Sequence, residues 1–353
     1  MKHGKSHGVT ALLGLVLSLA LVGGRAGADT SLDDLKSRVE VLEKQVGSKN
    51  SVVSAIPNQQ LSVLLQLQMI HDETSGVADN FKARRAEISL GGPILPQRVS
   101  YRLQIDPFLT GNITKDAFIT FSYVKYADFQ FGQFKFPQGL EGRWSSGDLD
   151  FAERAVVSSS FGDKRDYAVQ IGNSQVPLGP VKLDYALALV NGAGQNTADN
   201  NQHKDFAGRG GFQTGPVWIG ANGYLGTEPS GERDRSGTEF RFVQGPWKVQ
   251  MEYLYGITEP AALGLTGDSI PQEGYYILAN YKARSIRPGI RWESWDSNKT
   301  LANNRQDWIT VGLDVFPIED NVKNKVTLNY TVKREEGQSV KNNLGIVQYQ
   351  IAF

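Results

Sequence analysis

The chain has 353 residues, with 38 glycines, 13 tyrosines, 16 phenylalanines and no cysteine, so disulfides and thiolate metal sites are excluded. Its formal charge is zero, but Lys2, Lys5 and Arg25 fall in a segment expected to be removed, which leaves 34 basic against 37 acidic residues. That balance argues against a nucleic-acid partner.

Residues 1–28 combine a basic start, an apolar run from Val9 to Val22 and a small-residue end at Ala26-Gly27-Ala28. This is the grammar of a secretory signal peptide, with cleavage expected before Asp29. The 14-residue run falls short of the roughly 20 residues of a spanning helix, and no other stretch is longer. Over 29–47, Leu32, Leu35, Val39, Leu42 and Val46 fall at the a and d positions of a heptad. The expected element is a short periplasmic coiled coil, and Arg38 to Glu43 resembles the pattern of trimeric ones. An amphipathic helix lying on its own domain, or a frayed linker, is the alternative. Residues 48–58 read as a linker.

From residue 59 to 353 the period changes to two. Val181, Leu183, Tyr185, Leu187 and Leu189 alternate with Lys182, Asp184 and Ala186, and Val326, Leu328, Tyr330 and Val332 alternate with Thr327, Asn329 and Thr331. Strands are expected near 60–71, 82–91, 97–106, 115–126, 129–136, 165–173, 180–190, 206–214, 216–226, 236–244, 246–257, 273–282, 285–295, 306–316, 322–333 and 343–353. Sixteen is an even number, and connections such as Gly215-Pro216 and Gly245-Pro246 are short while 137–164, 191–205, 227–235 and 258–272 are long. This predicts an all-β fold, a 16-stranded antiparallel transmembrane β-barrel in the outer membrane of a diderm bacterium. Its apolar face meets outer-membrane lipid. The last strand, ending at Phe353, resembles the C-terminal signature read by the barrel assembly machinery. The 137–164 segment, polar and rich in Arg and acids, is expected to fold into the lumen as a constriction loop.

Catalysis is not expected. Beyond the signal peptide only His71 and His203 remain, both in or beside loops, so a Ser-His pair or a His metal site has little to use. No phosphate-cradling loop is present, and no cofactor is expected. Transport needs only a wet bore, a constriction and fixed charge. The alternation puts Arg85, Arg98, Arg102, Lys182, Arg241, Lys248, Arg287, Arg291 and Lys325 on the lumen face, with Glu87, Asp106, Asp184, Glu239, Glu252 and Glu293 beside them. Arg84 has the parity of the apolar face and is expected at the rim. Arginines of this kind suit anions, because a guanidinium meets carboxylate or phosphate oxygens two at a time; paired with acids across strands, they would instead be structural.

The run from Asp116 to Gln170, with Gly132 to Lys135, Pro137, Gly139-Leu140-Glu141, Ser145-Ser146, Glu153-Arg154 and Arg165-Asp166, resembles the phosphate-selective porin O and P family. Arg84-Arg85 and Phe353 fit as well. The resemblance implies a homotrimer of 16-stranded barrels, each with a loop in its bore. It also implies that Arg85 sits in an anion-guiding arginine ladder, with Arg143 and Arg154 in or beside the constriction. One departure bears on the solute. The phosphate-specific members concentrate lysines at the constriction, whereas 138–160 here holds no Lys, two Arg and the four acids Glu141, Asp148, Asp150 and Glu153. The expected function is passive diffusion of small hydrophilic solutes with a preference for anions such as phosphate. A general, weakly selective porin and a non-channel barrel acting as anchor or enzyme are the alternatives.

Overall fold

The computed structural model describes residues 58–353 except 96–97, 163, 229–230, 260–268 and 320. The signal peptide, the coiled coil and all but the last residue of the linker lie outside the described residues. The strands are β1 (Gln60–Asp72), β2 (Asn80–Leu95), β3 (Val99–Ile105), β4 (Thr114–Val124), β5 (Ala127–Lys135), β6 (Arg165–Leu178), β7 (Val181–Val190), β8 (Asp205–Thr214), β9 (Val217–Leu225), β10 (Thr227–Glu228), β11 (Gly231–Glu232), β12 (Arg235–Gln244), β13 (Trp247–Thr258), β14 (Ile270–Tyr281), β15 (Ile286–Asp296), β16 (Arg305–Val315), β17 (Lys325–Glu335) and β18 (Leu344–Ala352). Among the described residues, sixteen of them close into one barrel in chain order, and β10 and β11 form a small separate hairpin.

The barrel follows from the alternation. On β1, Gln66 and Gln68 are buried while Leu67 and Met69 are exposed, and on β18 Gln348 and Gln350 are buried while Val347 and Tyr349 are exposed. Polar residues point in and apolar residues point out, the reverse of a soluble sandwich, which suits a wall between lipid and a wet lumen. The register of β1 and β18 sets Gln66 opposite Gln350 and Gln68 opposite Gln348. Both pairs are bonded amide to amide, at 2.7 and 2.8 Å. The closing seam is thus held by side chains as well as by its ladder.

Connections sort by end. One rim carries short turns such as 125–126, 179–180, 215–216 and 245–246, with 316–324 its one longer link; the other carries 136–164, 191–204 and 226–234. Beside the short turns Tyr123, Tyr126, Trp247 and Tyr281 face outward, with Trp247 and Tyr281 edge to face at 4.7 Å. Such rings belong at a membrane–water interface, where an apolar body and a polar tip are both accommodated.

Candidate functional site

The segment between β5 and β6 enters the barrel and packs against the lumen side of β13 to β17. Four inward positions on successive strands, Gly256, Gly274, Gly289 and Gly312, make room for it. A Cβ at Gly256 would lie 2.9 Å from the Phe161 ring, one at Gly274 3.1 Å from Val157, and one at Gly312 2.8 Å from the Phe151 ring. Into that groove go Phe151, Ala155, Val157 and Phe161, closing a core with Leu254, Tyr276, Leu278 and Trp295. Apolar burial of this size inside a polar lumen holds the loop without consuming its polar groups.

Polar contacts fix the loop's position. Lys325 Nζ donates to the Leu149 carbonyl at 2.6 Å, and the Ala152 N–H donates to Asn329 at 2.7 Å. Asp150 is clamped by Lys248 at 2.6 Å and Arg287 at 2.9 Å. Glu153 takes two hydrogen bonds from Arg84, at 2.6 and 2.8 Å, and one from Gln68 at 3.0 Å. On the wall side, Glu252 accepts from the Leu140 N–H and the Ser158 hydroxyl, both at 2.7 Å.

The arginines expected to guide solutes divide into three groups. Arg85 is buried 3.6 Å from Glu87, Arg287 bonds Asp314 as well as Asp150, and Arg291 donates to the Glu153 carbonyl at 2.9 Å and to Glu293 at 3.2 Å. Arg154 donates to the Trp144 carbonyl at 2.6 Å. Arg287, Arg291 and Arg154 brace the loop and its seat, while Arg85 is tied to its own strand. Arg98 stands over the outward Tyr123 ring at 5.7 Å, and Lys182 is exposed next to the 179–180 turn; both lie at the short-turn rim, where a strand's inward parity no longer means lumen. Arg102, 3.2 Å from Asp116, and the pair Arg143 and Arg241 face open space. Arg84 is not at the rim as its parity suggests. The pairing of β1 with β2 slips between Gln66 and Leu67, which face Arg85 and Ala83, so this bulge turns Arg84 inward to Glu153.

The open space runs beside the loop as three cavities in series, lined mainly by β3–β9 and, at its two ends, also by residues of β12–β15. On the long-loop side, one of 590 Å³ includes Arg165, Arg233 and Tyr224. Arg165 also lines the next, of 280 Å³, with Arg102, Asp116 and Lys135. That one shares Gln130, Arg143 and Trp144 with a third cavity of 430 Å³, which reaches Arg209, Arg241, Asp184 and Asn173 towards the short turns. Charge is balanced unevenly along this course. Arg165 bonds Asp116 at 2.7 Å, and Arg209 is held by Glu239 at 2.6 Å against the Trp218 ring. Arg143 and Arg241 make no hydrogen bond or ion pair within 4.0 Å among the described residues. Loss of water around Arg143, reinforced by the charge of Arg209, lowers its pKa to about 10, still far enough above neutrality for the group to stay cationic.

Sequence reasoning missed Arg209, Arg165 and Trp144. Arg209 has lumen parity, but its neighbours Gly208 and Gly210 leave the outward positions without side chains and erase the apolar alternation that marks a strand face. Among the described residues no cluster of His, Asp and Glu is placed to hold a metal ion.

The phosphate-selective porin O and P family model matches residues 68–217, in agreement with the resemblance in the sequence. No curated protein sequence matches the chain. Among solved structures, the chain is similar to Salmonella typhi OmpF in complex with daunomycin, at 11% identity and TM-score 0.63, over 84% of this chain and 97% of that one. The outer membrane channel DcaP of Acinetobacter baumannii gives 13% identity and TM-score 0.63 over 85% and 98%. An anion-selective porin from Comamonas acidovorans gives 11% and 0.59 over 84% and 99%. At such identities these likenesses speak for the fold.

Two expectations follow for the loop. Filling its seat by Gly256→Val together with Gly312→Val leaves the barrel folded but displaces Phe151 and Phe161; single-channel conductance should rise, and an unchanged conductance would contradict the seat. The second concerns pH. Burial pushes the Glu153 carboxyl up, but hydrogen bonds from Arg84 and Gln68 and the charges of Arg84 and Arg85 outweigh it and hold the group below the ordinary 4.5. Asp150 is likewise raised by burial and lowered further by Lys248 and Arg287. A depressed carboxyl contributes stability that is complete above its unfolded value and lost as pH falls through its folded one. Loop docking should therefore be steady above about pH 5 and fail progressively below about pH 4, read as a rise in open-channel noise. Arg84→Gln should shift that rise to higher pH.

Proposed function

We propose that this chain, matched over residues 68–217 by the phosphate-selective porin O and P family, is an outer-membrane porin that passes small hydrophilic solutes by diffusion and favours anions. The observation that carries this reading is the series of cavities running from the long-loop side to the short-turn side, linked by Arg165 and then by Arg143. A solute on this course passes Arg233, Arg165 and Arg102, each in contact with an acid, before it reaches Arg143 and Arg241, whose charges have no partner in contact among the described residues. The anion preference rests on these two groups. Asp128 and Asp184 line the same cavity and keep the preference moderate. Arg154, Arg287 and Arg291 are spent on positioning the loop, which supports a narrow but only weakly phosphate-specific passage. In this reading three copies assemble as a trimer, as the family resemblance implies, and the N-terminus lies in the periplasm.

The test is the reversal potential across a KCl gradient in a planar bilayer. A fixed charge acting through water near 6 Å contributes roughly 0.7 kcal/mol, so replacing both Arg143 and Arg241 by Ser should lower chloride permeability by about tenfold and the chloride-to-potassium permeability ratio by more than that. Arg154→Ala should instead loosen the loop, raising conductance more than it alters selectivity. An unchanged ratio in the double variant would remove the anion reading; absence of conductance in the parent protein would remove the porin reading and favour an anchor.

A further inference from the structure

The third cavity holds opposite charges that its own framework keeps apart. Arg143 and Arg241 have no ion pair within 4.0 Å among the described residues. Asp184 lines the same cavity and bonds only neutral donors: the Trp218 indole N–H at 2.9 Å, the Gln175 backbone N–H at 2.7 Å and, weakly, the Gln175 amide at 3.5 Å. Asp128 likewise takes a hydrogen bond from Asn173 at 2.9 Å and has no cation in contact. Beside the paired Arg209, two unpaired guanidiniums and two carboxylates thus share 430 Å³ without contact between them. Each acid is fixed by groups of its own wall, which prevents collapse onto the arginines. Opposite charges held in one small cavity but out of contact can be bridged by a molecule that carries both signs.

The remaining lining suits such a molecule. Between the charges run Gln130 and Gln170, opposite each other in the β5–β6 register, and neither side-chain amide is bonded among the described residues. Leu140 and the half-exposed Trp144 supply an apolar flank. A cavity of this volume is at the lower end of the range for small-molecule sites and accommodates an amino acid with some water.

Building on the proposed porin function, we infer that the cavity below the constriction loop is a transit site for zwitterionic α-amino acids with apolar side chains. The carboxylate meets Arg143 and Arg241, the ammonium group meets Asp184, and the side chain lies along Leu140 and Trp144. An anion of equal size lacks the second contact and is opposed by the acids.

The test uses the full-length protein in a planar bilayer in KCl, with L-leucine, 4-methylpentanoate and isoamylamine as blockers of the ion current. They share a 3-methylbutyl chain and carry both charges, the negative one alone and the positive one alone. Leucine should reach half-block at a concentration about tenfold below either single-charge analogue. Asp184→Asn, which keeps an acceptor for Trp218, should raise the leucine value about tenfold and leave that of 4-methylpentanoate unchanged or lower. Arg143→Gln with Arg241→Gln should weaken leucine and 4-methylpentanoate together. Should leucine block no better than 4-methylpentanoate while chloride selectivity persists, the zwitterion site is refuted and the porin reading stands. Loss of chloride selectivity in the parent protein would instead strike at the reading on which this site rests. A leucine effect indifferent to Asp184→Asn also refutes the assignment.

Discussion

A backbone surrounded by hydrocarbon has no water to bond, so every N–H and C=O at that depth must find a partner within the protein. The barrel meets this by pairing β1 with β18, and the rest of the architecture depends on that closure. Once the sheet is closed it has one face towards lipid and one towards a confined interior, and each residue's parity decides which it meets. The interior cannot be as apolar as the exterior without becoming an ordinary core, and it cannot be wholly open without losing control over what enters. Loop 136–164 resolves this by filling only part of the interior. It turns the β13–β17 side into something like a small protein core, grips the β1–β18 seam, and leaves cavities along β3–β9 wet.

This division explains why so many cations in the lumen have nothing to do with solutes. Lys325 is buried and Lys248 and Arg287 are half-buried beneath the loop, where Asp150 and Asp314 meet their charges. Arg143 grows from the loop's other side and lines the open cavities. Two arginines only eleven positions apart, Arg143 and Arg154, therefore do opposite work, one facing the passage and the other tying the loop to itself.

Much of the fold was legible in the sequence because lipid imposes a strict period of two, and a strand that violated it would place charge in hydrocarbon. The excursion after β5 stood out because it broke that period for too long. The site was legible only in part. Parity tells that Arg287 and Arg241 point inward, but not that one is covered by a loop arriving from elsewhere in the chain and the other is open. It failed outright for Arg84, where one extra residue in β2 reverses the face. The seat of the loop was present in the sequence as inward glycines on four successive strands, a signal that is visible only once the strands are in register.

The glutamines of the seam bind the two halves of this design together. The Gln66 amide donates both to Gln350 across the junction of first and last strands and to the Ser146 carbonyl of the loop, while Gln350 donates to the Gly147 carbonyl. The same side chains that help seal the wall also grip what narrows it. Sealing and narrowing are then not separate events that assembly could order freely. A chain whose loop had strayed would come to its last strand with part of its junction unbonded, so the junction itself discriminates against a wide, unregulated hole in the envelope.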